Sequence, residues 1–174
     1  MTLVILVADG ARPDGLFGAM DAGELPALAA LRARGMSATL TSVFPSVTGS
    51  AYTPFLLGLH PGQAGLVGLR WFDRAREATS WPAFSRSYVG LGGMRADTDL
   101  TREHKTLFEH EPRSIGGWMR FDRWLGEEFV RRIVAQKPRV AFLAHPGIDK
   151  ISHRFGSSHP RVLDAMRTVD NTVR

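Results

Sequence analysis

The sequence predicts an α/β fold, an α/β/α sandwich in which a mainly parallel sheet lies between two layers of helices. Two apolar runs, residues 3–8 and 140–144, are continuous, as in strands that are buried on both faces of a parallel sheet. Helical patterns separate the two runs, and alternation of strands with helices is typical of α/β domains. The chain has 174 residues, 44% of them hydrophobic, which is enough for one substantial core.

The first predicted strand is followed by a helix and a second β-prone segment. Residues 24–34 have a helical composition, and Gly35 stands where a helix often ends. Residues 36–43 are rich in β-forming side chains, and the Phe44-Pro45 pair would end a strand there. We therefore expect the order strand, helix, strand over the first quarter of the chain.

Two further helices are predicted before the second buried strand. Residues 48–57 have a helical pattern, although Pro54 is awkward beyond the first turn of a helix. Residues 120–136 give the clearest helix, which Lys137 and Pro138 would end. Its apolar positions form one stripe, made of Phe121, Trp124, Leu125, Phe129 and Ile133.

The middle of the chain differs from both ends. Residues 58–118 are rich in glycine and contain Trp71, Trp81 and Trp118. An irregular, aromatic stretch between sheet elements is a candidate insertion that lines a substrate entrance. The alternative is a packed excursion with ordinary core tryptophans, and the sequence does not choose between the two. We treat residues 1–174 as one domain that contains this region.

Composition excludes several classes of site. The chain has no cysteine, so disulfides, thiolate nucleophiles and thiolate zinc sites are absent, and a metal would be bound by carboxylate, imidazole or hydroxyl groups. No apolar run is long enough to cross a membrane, and Asp9 interrupts the N-terminal run too early for a signal peptide. The expected location is therefore cytoplasmic, without a membrane span.

The basic residues are mostly arginine. The net charge is +5, and the only lysines are Lys105, Lys137 and Lys150. Arginine suits bidentate recognition of phosphate, although a bias in genomic composition would give the same count. The basic residues form no continuous run, so we do not expect binding to a nucleic acid polymer.

Polar side chains follow both predicted buried strands. Asp9 ends the first run, while Asp149 and His153 follow the second and are spaced i and i+4. Ligands of α/β proteins bind beyond the carboxyl ends of the strands, and a helical Asp-x-x-x-His pair could chelate one ion. The alternatives are a simple Asp-Gly turn at Asp9 and a chance spacing of Asp149 and His153.

Thr48 is the candidate nucleophile. It follows the Pro45 turn and begins a predicted helix, so its hydroxyl would lie near backbone N–H groups at the positive end of the helix dipole. Its ordinary role at such a position would be to cap the helix. Ser46 and Ser50 compete with it for either role.

Four stretches of the sequence match the pattern of one known family: VILVADGARPDGL at 4–16, LPALAALRARG at 25–35, FPSVTGSAYTPFLLGLHPGQAGLVG at 44–68 and DKISHRFG at 149–156. In combination they resemble the alkaline phosphatase superfamily, in particular its type I phosphodiesterase/nucleotide pyrophosphatase branch. Residues 58–65 depart from that family's pattern, because Ala64 stands where a histidine is usual. No G-x-G-x-x-G pattern follows the first strand, so a Rossmann-type nucleotide binder fits less well.

The resemblance implies an alkaline-phosphatase-like fold and a site with two divalent metal ions, expected to be zinc. Asp9 and Thr48 would bind one ion, and Thr48 would attack phosphorus to form a phosphothreonine intermediate. Asp149 and His153 would bind the second ion. The implied activity is hydrolysis of a small-molecule phosphate ester, by a phosphodiesterase or nucleotide pyrophosphatase reaction.

The family completes its site with a later Asp-His pair and a further His, and nothing after His153 offers them. Residues 158–173 have the pattern of an amphipathic helix that stops at Arg174 without a capping signal. We therefore expect an N-terminal portion of the catalytic domain, with a sheet that is incomplete at the C-terminus. The alternative function is that of an inactive or truncated family member that serves as a binding or assembly module. The oligomeric state cannot be predicted.

Overall fold

A computed structural model gives the structure of the chain and describes residues 2–68, 70–72, 85–87 and 117–174. The chain divides into two compact units. The first unit comprises Met1–Thr39 and Pro112–Arg174, and the second comprises Leu40–Glu111. In the part of the chain that the structure describes, the elements are β1 (Leu3–Ala8), α1 (Pro13–Asp21), α2 (Pro26–Arg34), α3 (Thr48–Leu57), β2 (Arg70–Phe72), β3 (Ser85–Ser87), α4 (Trp118–Gln136), β4 (Val140–His145), α5 (Gly147–Phe155) and α6 (Pro160–Val173).

The two apolar runs form the parallel pair that the sequence predicts. β1 pairs with β4 over all six residues of each strand, from Leu3 opposite Val140 to Ala8 opposite His145. Parallel strands need a crossover connection, and the intervening chain with its helices supplies it. The carboxyl ends of the two strands therefore lie side by side at one edge of the first unit.

The sheet is smaller than the predicted sandwich requires. Among the described residues, β1 and β4 form a two-stranded sheet, and β2 and β3 form an antiparallel pair in the second unit. The amino-terminal ends of the two strands are open to solvent, since Leu3 is 57% and Val140 58% exposed. The α/β character and the parallel pairing are confirmed, while the sheet is incomplete.

The predicted strand at residues 36–43 is wrong. The structure shows no strand or helix there, and the side chains of Met36 and Leu40 are exposed. A β-forming composition stabilises a strand only when another strand pairs with it and a face is buried. In the described ranges, no strand pairs with this segment.

The core of the first unit lies between its helices. α1 and α2 pack with α5 and α6, and partly buried side chains of β1, among them Leu6 and Ala8, cover this cluster. Burial of apolar area is the main force that holds such helices together. The buried members of the core are Met20, Leu25, Ile148, Ile151, Val162, Ala165, Met166 and Val169.

The predicted C-terminal helices are confirmed, with one difference in α4. The apolar stripe of α6 is buried at Val162, Met166 and Val169, as its pattern indicates. In α4 the buried residues are Asp122 and Gly126, whereas Trp124 of the predicted stripe is 47% exposed. The face of α4 that meets the rest of the unit is therefore centred on a carboxylate and a glycine.

Most of residues 58–118 lie outside the described ranges, so the predicted substrate entrance stays a prediction. The elements described there are the short strands β2 and β3. Among the described helices, none is long and apolar enough to cross a membrane.

Leu25, which lies between α1 and α2 in the sequence, tests the helical core, because its side chain is fully buried in that core. We expect Leu25→Ala to lower the free energy of unfolding by about 2–5 kcal/mol, through lost burial and the cavity left behind. Leu31→Ala is the control, since Leu31 is 50% exposed, and it should change stability by at most about 0.5 kcal/mol. Urea denaturation measures both, and equal losses would contradict this description of the core.

Candidate metal centre

The carboxyl ends of β1 and β4 bring two distant parts of the sequence together. The backbone N–H of Asp9 donates to the carbonyl oxygen of His145 at 3.1 Å, which extends the ladder one residue beyond β1. After His145 the chain passes through Pro146 and begins α5 at Gly147. The turn after β1 and the first turn of α5 therefore lie next to each other.

Gly10 allows this close approach. Its φ is +76°, a conformation that favours glycine, and a Cβ at this position would lie 2.6 Å from Cα of Asp149. The backbone of the Asp9–Gly10 turn thus packs directly against the residue that carries the second carboxylate. This contact is what places Asp9 beside α5.

Asp149 and His153 form the predicted pair on one face of α5. Oδ1 of Asp149 lies 3.2 Å from Nε2 of His153, one helical turn later. The Asp149 side chain is 16% exposed and that of His153 is 78% exposed, so the pair opens to solvent at the histidine. The other carboxylate oxygen of Asp149 accepts a hydrogen bond from Nζ of Lys150 at 3.1 Å.

The spacing of this pair suits one zinc ion. Nitrogen and oxygen ligands lie about 2.0–2.2 Å from zinc, so two neighbouring ligands of a tetrahedral site are about 3.3 Å apart. The observed separation of 3.2 Å between Asp149 and His153 is that of a direct ion pair or hydrogen bond, and two ligands of one ion would lie at a similar distance. The ammonium group of Lys150 occupies one oxygen and would compete with an ion for the same carboxylate.

The complete predicted ligand set is not gathered. Within the described ranges, no group of three or more His, Cys, Asp or Glu residues lies close enough to hold a metal ion. Asp149 and His153 are together, and the Gly10 contact brings the backbone of the turn after Asp9 against Asp149. Thr48 belongs to the second unit and is described there by itself.

Thr48 is the first residue of α3. The residue that caps this helix is Val47, which has an extended backbone with φ −82° and ψ 147°, so Thr48 does not have the capping role. Ser50 is fully buried, and its hydroxyl donates to the carbonyl oxygen of Leu66 at 2.7 Å. The hydroxyl of Ser50 is thus engaged in the interior of the second unit, whereas Ser46 is exposed.

A cavity of about 220 Å³ adjoins the Gly10 turn in the first unit. Arg12, which lines this cavity, donates two hydrogen bonds to Asp14, from Nε at 3.1 Å and from Nη2 at 2.7 Å. These hydrogen bonds, with one from the backbone N–H of Gly15, hold the pKa of Asp14 below its usual value. The cavity is lined by Gly10, Arg12, Asp14, Gly15, Ser152, Ser157, Ser158, Val162 and Met166.

Two buried polar residues next to the site were not predicted from the sequence. Asp122 of α4 and His145 of β4 are both fully buried, and Oδ2 of Asp122 accepts a hydrogen bond from the backbone N–H of Gly147 at 2.9 Å. The available signal was the spacing of Asp122, which lies on the same helical face as Leu125 and Phe129. An acidic residue within an apolar stripe indicates a buried partner.

Gly10→Ala tests the contact between the Asp9 turn and α5. The new Cβ would meet the Asp149 backbone, so the turn and α5 must separate, in addition to roughly 1–2 kcal/mol for the left-handed backbone. Gly23→Ala is a matched control, because Gly23 has φ +79° and open space around it. In urea denaturation Gly10→Ala should lose more stability than Gly23→Ala, and equal losses would show that this contact is unimportant.

Comparison with known proteins agrees with the motifs. A sequence profile of the family described as type I phosphodiesterase/nucleotide pyrophosphatase matches residues 3–112 and 106–174, which confirms the resemblance to that branch of the alkaline phosphatase superfamily. A comparison with curated protein sequences gives no match. The profile matches nearly the whole chain, in a family of hydrolases that act on phosphoric esters. The chain therefore belongs to the type I phosphodiesterase/nucleotide pyrophosphatase family.

Proposed function

We propose that the protein is a metal-dependent phosphoric ester hydrolase, of phosphodiesterase or nucleotide pyrophosphatase type, with Thr48 as its nucleophile. The observation that supports this most is the Asp149–His153 pair at 3.2 Å on α5, beside the Asp9 turn. A carboxylate and an imidazole at this spacing are suited to divalent zinc. They stand at the carboxyl ends of two parallel strands, where α/β proteins bind their ligands.

The proposed reaction has two steps. In the first, Oγ1 of Thr48 forms a bond to phosphorus while the bond from phosphorus to the leaving alcohol oxygen breaks, and the proton of Thr48 passes through solvent to that oxygen. In the second, a water oxygen attacks phosphorus, the bond to Oγ1 breaks, one proton of the water passes to Oγ1, and the hydrolysed phosphoryl product leaves. The position of Thr48 at the start of α3 supports this role, since the positive end of the helix dipole favours phosphate oxygens.

Four residues would hold the two metal ions. Asp9 and Thr48 would bind one, and Asp149 and His153 would bind the other. When bound, such ions lower the pKa of a hydroxyl and of a water molecule and neutralise charge on the phosphoryl group. The ammonium group of Lys150, which is 43% exposed, would leave Asp149 for solvent as the ion binds.

The proposed substrate is a small-molecule phosphate ester. The arginine-rich composition fits an anionic substrate, and the cavity beside Gly10 is below the roughly 300 Å³ at which pockets for drug-sized ligands begin. Zinc as the metal and the cytoplasm as the location belong to the same proposal.

Loss of the Thr48 hydroxyl tests the nucleophile. We expect zinc-dependent release of nitrophenol from a nitrophenyl phosphodiester, with Thr48→Ala lowering the rate by roughly 10³-fold or more because no bond to phosphorus can form. Thr48→Ser is the control, since it keeps a hydroxyl and should retain part of the activity. Equal rates in wild type and Thr48→Ala would refute the assignment.

Zinc content tests the α5 pair separately. Asp149→Ala and His153→Ala should each reduce bound zinc by about one ion per chain, because a pair of ligands is needed to retain that ion. Asp164→Ala is the control, since Asp164 is an exposed acid of α6 that pairs with Arg167. Metal analysis after gel filtration measures the content, and unchanged zinc in all three variants would mean that the pair is structural.

The same measurements decide the alternative function. A non-catalytic binding or assembly module would show no hydrolysis above the level of Thr48→Ala, for both the diester and the nitrophenyl monoester. If the chain hydrolyses one of the two esters faster, the preferred ester identifies the subclass of hydrolase.

A further inference from the structure

A buried pair of ionisable residues lies next to the start of α5, the helix that carries Asp149 and His153. Asp122 and His145 are both 0% exposed, and Oδ2 of Asp122 is 3.7 Å from Nδ1 of His145, too far for a hydrogen bond. In the part of the chain that the structure describes, Oδ1 of Asp122 and Nδ1 of His145 have no hydrogen-bond partner. Burying polar atoms without partners destabilises a protein, so stability alone does not account for Asp122.

Asp122 instead determines where α5 begins. Its Oδ2 accepts a hydrogen bond from the backbone N–H of Gly147, the first residue of α5, at 2.9 Å. The residue before it, Pro146, makes no capping hydrogen bond with its side chain. The carboxyl group of an α4 residue therefore satisfies a backbone donor of the first turn of α5.

Two glycines make room for this arrangement. A Cβ at Gly147 would overlap with Oδ2 of Asp122, and a Cβ at Gly126 would overlap with the Thr172 hydroxyl. That hydroxyl lies 3.2 Å from Nε2 of His145. Side chains of α4, β4 and α6 thus meet at the start of α5, and neither glycine can be replaced without moving one of them.

We infer that Asp122 is a positioning residue for the candidate metal ligands. Asp149 lies in the first turn of α5, two residues after the N–H that Asp122 binds, and His153 follows one turn later. Because Gly147 is held in place, α5 can neither shift along its axis nor turn about it. The positions of both side chains relative to β4 and the Asp9 turn are set in this way. This inference rests on the proposed function, since it assigns a role to Asp122 in the same site.

The chain contains a matched control in Asp170. Asp170 is also buried, at 2% exposure, and its Oδ1 accepts a hydrogen bond from the backbone N–H of Leu28 in the first turn of α2 at 2.8 Å. As with α5, the residue before α2, Leu25, makes no side-chain capping bond. α2 carries none of the candidate ligands, so loss of Asp170 removes a buried cap without touching the site.

The experiment compares Asp122→Ala, Asp122→Asn and Asp170→Ala with the wild-type chain. We expect both alanine variants to melt at lower temperature, but only Asp122→Ala to weaken zinc binding in calorimetry, by about 10- to 100-fold. Amide hydrogen exchange should speed up at Gly147 and along the first turn of α5 in that variant alone. Asp122→Asn should keep the wild-type zinc affinity and the wild-type protection from hydrogen exchange, because its amide oxygen can accept the same hydrogen bond.

Gly147→Ala provides a second variant should Asp122→Ala fail to fold. It keeps the carboxylate but pushes it away from the helix, so zinc affinity should fall although alanine favours a helix more than glycine does. The inference is overturned if Asp170→Ala weakens zinc binding as much as Asp122→Ala, or if Gly147→Ala and Asp122→Ala leave affinity and exchange unchanged.

Failure of the proposed function would look different. If wild type and Asp149→Ala bind zinc equally, the pair is not a metal site and the proposed function fails at that point. Hydrogen exchange at Gly147 still reports whether Asp122 positions α5, because that measurement needs no metal.

Discussion

The in-register parallel pairing of β1 with β4 is the constraint on which the rest of the first unit depends. It aligns Ala8 with His145, and the ladder continues through the hydrogen bond from Asp9 to His145. Because both strands point the same way, the residues that follow them are brought to one edge of the sheet. Residues some 140 positions apart in sequence, the Asp9 turn and the start of α5, become neighbours there.

Two helix starts in this unit, those of α2 and α5, are fixed from a distance. Neither Leu25 nor Pro146 makes a side-chain capping bond, and buried carboxylates from other helices, Asp170 and Asp122, accept hydrogen bonds from the first turns instead. A local cap stabilises one helix by itself. A distant cap also sets the position of that helix relative to a second one, which matters when the helix bears ligands.

Sequence patterns predicted what depends on local periodicity. Continuous apolar runs gave both strands of the parallel pair, the stripe of Val162, Met166 and Val169 gave α6, and the i, i+4 spacing gave the contact of Asp149 with His153. These features follow from geometry within one element, which a sequence displays directly. The motifs also identified the family, which the profile match confirms.

The predicted strand that is wrong and the buried residue that was missed both depend on contacts between segments that are distant in the sequence. Residues 36–43 have β-forming side chains, but a strand needs a neighbour, and none of the strands that the structure describes pairs with them. The burial of Asp122 depends on an N–H from Gly147, 25 residues away. The roles of Thr48 and Asp9 stay predictions for the same reason, since they depend on how separate segments meet.

The most direct test of the central claim is peptide mass spectrometry after rapid mixing. The wild-type chain is mixed with zinc and a nitrophenyl phosphate ester, quenched in acid during turnover, and digested. If Thr48 is the nucleophile, the phosphoryl group of the substrate is found covalently attached to the peptide that contains Thr48, and on that residue. Turnover with the group attached to another residue, or to none, would contradict the account.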